Sequence, residues 1–213
     1  MIEGFIFDMD GVLIDTEDCH FNAWVDVMKG EGIPVTLETY LEKIQVQGRR
    51  RAVENLMANP SEETIARLSA AKEEAYLREV DRKKEVVFGD ARLFLEKCRD
   101  MGIPMGVASS SSLAVRMLER TGLLEFFPVV VGGGDVKRQK PEPDIFLEAA
   151  RRLGIHPEHC VVFEDAKSGI EAAHRAGMHV VAVDRLHLLD PSERFLRMVN
   201  TLDDLSLEQL LGV

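Results

Sequence analysis

Five short apolar runs punctuate the chain: Gly4–Phe7, Ile103–Ala108, Pro128–Val131, Cys160–Phe163 and His179–Val183. They are rich in Val, Ile and Phe and do not alternate with polar residues, the pattern of strands covered on both faces. Between most of them the apolar positions recur at helical spacing, over Leu113–Arg120, Asp144–Leu153 and Lys167–Ala176, the last closed by Gly177. Strand and helix in alternation predict an α/β fold, a three-layer Rossmann-like core built on a parallel sheet.

The interval between the first two runs breaks this rhythm, because it is several times longer than one crossover needs. Residues 16–86 read as almost pure helix. Phe21, Trp24, Val25 and Met28 share a helical face, and Gly30 and Gly32 end that helix. Asn59–Pro60 breaks a second one, and Ser61 followed by Glu62 and Glu63 marks the next start. Ile65, Leu68, Ala75 and Tyr76 continue at helical spacing. The expected organisation is a core of residues 1–14 and 87–213 with a helical domain inserted at 15–86, hinged near Asp15–Thr16 and Val87–Gly89.

Composition narrows the function classes. The 213 residues carry a formal net charge of −11, and neither the inserted stretch nor the remainder is basic, which argues against a broad nucleic-acid surface. Cys19, Cys98 and Cys160 are odd in number and widely spaced, so neither a disulfide framework nor a zinc site is expected. No segment has the length of a membrane span, and the first residues, MIEGFIFD, lack the features of a signal peptide. The expectation is a cytoplasmic monomer with no nucleic-acid or membrane partner.

In an open parallel sheet, ligands bind beyond the carboxyl ends of the strands. Asp8 and Asp10 follow the first run; Ser109, Ser110 and Ser111 follow the second; Lys140 follows the third beyond a glycine turn; Glu164 and Asp165 follow the fourth. Carboxylates, hydroxyls and one lysine therefore converge on one edge. Asp8, Glu164 and Asp165 supply the oxygen ligands that a hard cation such as Mg²⁺ prefers, and the cation lets a carboxylate approach a phosphate dianion. Lys140 would neutralise nucleophile and phosphate, while Ser109 and nearby backbone N–H groups would hold phosphate oxygens. Two carboxylates spaced Asp-x-Asp can divide the labour, Asp8 attacking and Asp10 giving and taking a proton. Each motif has a plainer reading: an Asx turn for Asp8–Gly11, a helix start for Ser109–Ser112, a solvated pair for Glu164–Asp165. Paired acids after the apolar CVVF are costly without a cation, which favours the metal.

DMDGVLIDTE (Asp8 to Glu17), VASSSS (Val107 to Ser112), KPEPDIF (Lys140 to Phe146) and VVFEDAKSGIEAAHRAG (Val161 to Gly177) resemble, in order, the four motifs of the haloacid dehalogenase superfamily of phosphotransferases. The resemblance covers essentially the whole chain. It implies that Asp8 becomes an aspartyl-phosphate, that Asp10 is the acid and base and also offers its backbone carbonyl to Mg²⁺, that Ser109 and Lys140 complete the catalytic set with Ser110 and Ser111 beside the phosphate, and that Asp165 and Glu164 complete the metal site. The insertion resembles the superfamily's helical cap, which closes over the substrate.

Within the superfamily the chain resembles the β-phosphoglucomutase-like branch. HFNAW (His20 to Trp24) matches a cap segment, Thr16 a hinge position, Arg49 a cap arginine for a distal phosphate, and Lys72 a cap lysine. The segment QVQGR (Gln45 to Arg49) and Leu113 depart from the mutase pattern, which has a lysine then a glycine in the first place and an asparagine in the second. His20 reads either as a core histidine or as a contact to substrate or Asp10, Lys72 as a snorkelling lysine or a functional one, and Arg49 as part of a solvated basic turn or a phosphate contact. The expected function is a Mg²⁺-dependent phosphatase of small phosphorylated metabolites, such as sugar phosphates, with a β-phosphoglucomutase-type isomerase as the alternative and a non-catalytic binding module third.

Overall fold

The computed structural model describes residues 1–45, 48–191 and 194–212. Val46, one of the departures from the mutase pattern, lies outside the described residues. The elements run in the order β1 (Gly4–Phe7), α1 (Glu17–Gly30), α2 (Leu37–Lys43), α3 (Arg49–Leu56), α4 (Glu62–Arg82), α5 (Gly89–Asp100), β2 (Met105–Ala108), α6 (Ala114–Thr121), β3 (Val129–Val131), α7 (Asp144–Leu153), β4 (Cys160–Glu164), α8 (Lys167–Arg175), β5 (His179–Val183), β6 (Arg197–Val199) and α9 (Leu207–Leu211). The chain separates into two compact units, Met1–Asp15 with Val87–Val213, and Thr16–Val86. Among the described residues no helix is long and apolar enough to cross a membrane.

The first unit is an α/β layer structure. Its sheet is parallel throughout, in the order β3-β2-β1-β4-β5-β6. Every residue of β1, β2 and β4 is buried, as non-alternating apolar runs require. One face carries Ile6, Val162, Phe146 and Ala173. Phe5, Phe7, Phe94 and Phe163 form a cluster of edge-on and stacked rings. The expected runs at Ile103 and Pro128 become strands only from Met105 and Val129; Pro104 has no N–H to give, but its carbonyl accepts the Phe5 N–H at 3.0 Å.

The sixth strand is not among the five expected. Arg197–Val199 is an edge segment of three residues, exposed or half-buried, and one covered face needs no apolar run. The strand order reverses between β1 and β4. Phe7 lies opposite Phe163, and the Asp8 N–H donates to Phe163 O at 2.9 Å, so Asp8 and Glu164 leave the sheet side by side at the switch point.

The second unit is helical, with a core of Trp24, Met28, Tyr40, Val53, Ile65 and Leu68. Ser61 caps α4 by accepting from the Thr64 N–H at 3.1 Å, with Glu62 and Glu63 in the first turn. The buried stripe of α4 runs Ile65, Leu68, Lys72, Ala75, Tyr76 and Val80, so a lysine occupies a core position of an otherwise apolar row.

Candidate active site

Lys140 is the centre of the arrangement at the sheet's carboxyl edge. Its side chain is only 6% exposed, and its ammonium donates to the Asp8 carboxylate, to Glu164 Oε1 at 2.7 Å and to Ala108 O at 3.1 Å. Those three acceptors use its three protons, and each comes from a different strand end, β1, β4 and β2. The ring of Phe146 lies 4.8 Å from Nζ and closes off one side. The lysine is thus fixed by the same strands that carry the acids.

Glu164 is 1% exposed and has both oxygens engaged. Oε1 accepts from Lys140 and Oε2 accepts from the Ala166 N–H at 2.8 Å. Its carboxylate therefore sits at the N-terminus of α8, where the helix favours an anion. It fits there because residue 169 is glycine; a Cβ at that position would overlap the Glu164 carboxylate. Gly169→Ala should cost about 2 kcal/mol despite alanine's better helix propensity, because Glu164 must move off Lys140. A thermal melt checks this, with a midpoint fall of roughly 4–8 °C expected for a chain of this size.

Asp165 meets the other strand end in the same way. Its carboxylate lies against Gly11, which has φ +80° and no space for a Cβ. Gly11 follows Asp10, so the close approach brings Asp165 beside the Asp8–Asp10 turn. Burial first, then Glu164 and Asp10, push the Asp8 carboxyl up to about 7, against the opposing pull of Lys140. Burial, Glu164 and Asp8 likewise raise Asp165. Burial also works against the Lys140 charge, but Asp8 and Glu164 outweigh it and keep the ammonium protonated. The edge holds more acid than this lysine neutralises.

The serines stand differently from the expected helix start. Helix α6 begins at Ala114 with Leu113 at its cap, and Ser109–Ser112 form the turn ahead of it. The Ser111 N–H donates to Ser109 Oγ at 3.1 Å, and the Leu113 N–H donates to Ser111 Oγ at 3.1 Å. These short loops compete with helix and delay its start. Ser109 is buried beside Ala108, whose carbonyl Lys140 holds, while Ser110 is exposed and Ser111 half-buried.

On the helical unit, Lys72 Nζ lies 2.5 Å from His20 Nδ1 and 4.8 Å from the centroid of the Tyr76 ring, which stacks on His20 at 4.2 Å. Tyr76, which by its helical spacing reads only as core, completes the group from one turn after Lys72. The Thr16 carbonyl accepts the His20 N–H at 2.9 Å. Arg49 opens α3 and pairs with Glu73 of α4 beside a recess of about 600 Å³ lined by Arg50, Ser69 and Ala70. Gln45 donates to Glu17 Oε1 at 3.0 Å.

The sequence pattern of the haloacid dehalogenase-like hydrolases matches residues 2–177. The chain belongs to this family. It is 35% identical over 181 residues to the fructose-1-phosphate phosphatase YqaB of Escherichia coli, covering 84% of this chain and 95% of that protein. It is 36% identical over 191 residues to a phosphorylated carbohydrates phosphatase of Thermotoga maritima, covering 83% and 82%. The crystal structure of β-phosphoglucomutase from Clostridium difficile superposes with a TM-score of 0.87 at 29% identity, covering all of this chain and 96% of that one.

As a haloacid dehalogenase-like hydrolase, the protein has the α/β fold and the phosphatase and mutase relatives that its four motifs imply. Among its described residues no three His, Cys, Asp or Glu side chains close on one point as a ready metal cage. Its donors at the edge are all oxygens. Gly11 and Gly169 lie inside two of the four motifs, and the room each leaves for a carboxylate is visible only once the strands are paired.

Proposed function

We propose that this hydrolase is a Mg²⁺-dependent phosphatase of small phosphorylated metabolites, sugar phosphates among them, working through an aspartyl-phosphate on Asp8. The observation that carries the reading is Lys140, buried and bonded at once to Asp8 and Glu164, in an edge whose acids exceed its neutralising charge.

The donor set fits Mg²⁺. The ion takes one or two carboxylates, keeps several waters and shares its remaining positions with substrate phosphate, so it does not need a three-carboxylate cage. Asp8 and Asp165 would hold it with their side chains and Asp10 with its backbone carbonyl. Glu164, with both oxygens spent on Lys140 and Ala166, would serve by fixing the lysine and compensating charge. Bound there, Mg²⁺ supplies the positive charge that lets a carboxylate and a phosphate dianion approach each other.

The chain's own groups account for the rest. A carboxylate oxygen of Asp8 attacks phosphorus as the ester P–O bond breaks, and Asp10 delivers its proton to the departing oxygen. Asp10, now ionised, takes a proton from a water molecule that attacks the aspartyl-phosphate. Phosphate leaves, Asp8 is restored as carboxylate, and Asp10 is again protonated. Lys140 stabilises charge building on the phosphoryl oxygens, and the buried Ser109 turn offers a hydroxyl and N–H groups to them.

The Lys72–His20–Tyr76 group favours a second reading, a β-phosphoglucomutase-type isomerase. The group gathers an ammonium, an imidazole and a phenol ring, which can bind the hydroxyls of a polar ligand such as a sugar. One experiment separates the readings. With β-glucose 1-phosphate, Mg²⁺ and a trace of glucose 1,6-bisphosphate, glucose 6-phosphate without inorganic phosphate identifies a mutase. Inorganic phosphate from this or from fructose 1-phosphate identifies a phosphatase. EDTA should remove either activity and Mg²⁺ restore it; turnover indifferent to chelation would sink the metal assignment.

A further inference from the structure

Arg185 lies just beyond β5, two residues past Val183, and belongs to none of the four motifs. Its side chain is 15% exposed and makes a set of contacts that no neighbouring residue in sequence could suggest. Nε donates to Gly11 O at 3.2 Å and Nη2 donates to Val12 O at 3.1 Å. Nη1 pairs with Asp90 Oδ2 at 2.9 Å, and the guanidinium carbon lies 3.8 Å from the centroid of the Phe88 ring. Asp90 is also buried in bonds: Oδ2 accepts from Thr201 Oγ1 at 2.7 Å and from the Leu202 N–H at 2.8 Å. One planar fork therefore ties the turn after β1, the start of α5 and the segment after β6 to the exit of β5.

The turn held in this way is the one that carries Asp10. Asp10 bridges to Ile14, the Gly11 N–H donates to Ile14 O at 2.8 Å, and the Leu13 and Ile14 N–H groups both donate to Met9 O. Ile14 in turn bridges to Val87, and the Phe88 N–H donates to Leu13 O at 3.1 Å. Gly11 is thus gripped from two directions, by the Asp165 carboxylate against its Cα and by Arg185 on its carbonyl. Gly11 has no Cβ to restrict its backbone, which at φ +80° lies where other residues rarely go, so the position of Asp10 depends on what holds this turn.

We infer that Arg185 is a positioning residue for proton transfer: by pinning the carbonyls of Gly11 and Val12 to Asp90, it holds the turn that aims the Asp10 carboxyl at the departing oxygen. This rests on the phosphatase reading, in which Asp10 is the acid. Arg185 does not touch substrate; it acts through the Asp10 backbone. A small displacement of an acid from its line of transfer removes most of its benefit.

The leaving group provides the test. An alkyl phosphate such as fructose 1-phosphate needs a proton on its departing oxygen, whereas p-nitrophenyl phosphate releases a phenolate that does not. kcat/KM covers only the steps up to loss of the leaving group, so it isolates the acid's role. Arg185→Ala should lower kcat/KM on the order of 10²-fold for the alkyl ester and less than about 5-fold for the aryl ester, the same split as Asp10→Asn. Arg185→Lys keeps the charge but cannot span Gly11, Val12 and Asp90 together, and Asp90→Asn weakens the far anchor; both should show the split in smaller measure even if the alanine variant folds poorly. Equal losses on the two esters, or an unchanged ratio in all three variants, would overturn the inference while leaving the phosphatase reading intact. A native enzyme inert towards both esters would overturn both.

Discussion

Asp8→Asn should abolish turnover, by a factor on the order of 10⁴ or more, and at the same time stabilise the metal-free fold at pH 8. The first effect comes from the chemistry, because an amide oxygen cannot form the aspartyl-phosphate. The second comes from the electrostatics. The folded state pushes the Asp8 carboxyl from 3.8 up to about 7, so it favours the neutral form. Below the unfolded value the carboxyl is protonated in both states and contributes nothing. Between about 4 and 7 the unfolded chain ionises first, and stability falls as pH rises. Above about 7 the folded protein carries the full cost. Asparagine does not titrate, so the difference in melting midpoint between variant and native protein in EDTA should be small at pH 4 and widen to on the order of 10 °C at pH 8, about 4 kcal/mol. Residual turnover above about 1% of native would refute covalent catalysis by Asp8. A midpoint difference that stays flat with pH would refute the buried-acid account.

The sheet edge was legible in the sequence because strands announce themselves by unbroken apolar runs, and the residues just after each run must emerge on one side. Asp8, Lys140 and Glu164 are found that way, and the structure joins them through one ammonium. The edge strand Arg197–Val199 was not legible, since a half-exposed segment carries no apolar signature. The serine turn reads wrongly as a helix start because serine serves equally as a helix cap and as a loop that bonds its own backbone, and only the turn's geometry distinguishes the two. The Arg185–Asp90 link spans 95 residues. Polar pairs so far apart leave no periodicity to read, and neither do glycines whose purpose is to make room for a carboxylate on another strand.

Lys140→Met should separate the lysine's two tasks and move stability in the opposite direction from Asp8→Asn. Without the ammonium, Asp8 and Glu164 face each other in a dry edge with no neutralising charge between them. Removing one partner of a buried pair costs about 3–5 kcal/mol, so the midpoint at pH 8 should fall by on the order of 10 °C. At pH 5 the loss should be smaller, because the Asp8 carboxyl, already raised by burial, can take up a proton instead. Activity should fall on the order of 10³-fold, since charge building on the phosphoryl oxygens loses its fixed cation. Glu164→Gln added to Lys140→Met removes one of the stranded charges. That double variant should regain much of the midpoint and none of the activity, a coupling that a thermal melt and a phosphate-release assay read independently. If Lys140→Met left the midpoint unchanged at pH 8, the lysine would not be the charge that makes this edge stable. If the double variant recovered turnover, Lys140 would matter for folding alone, and the stabilisation of the transferring phosphoryl group would have to come from elsewhere in the edge.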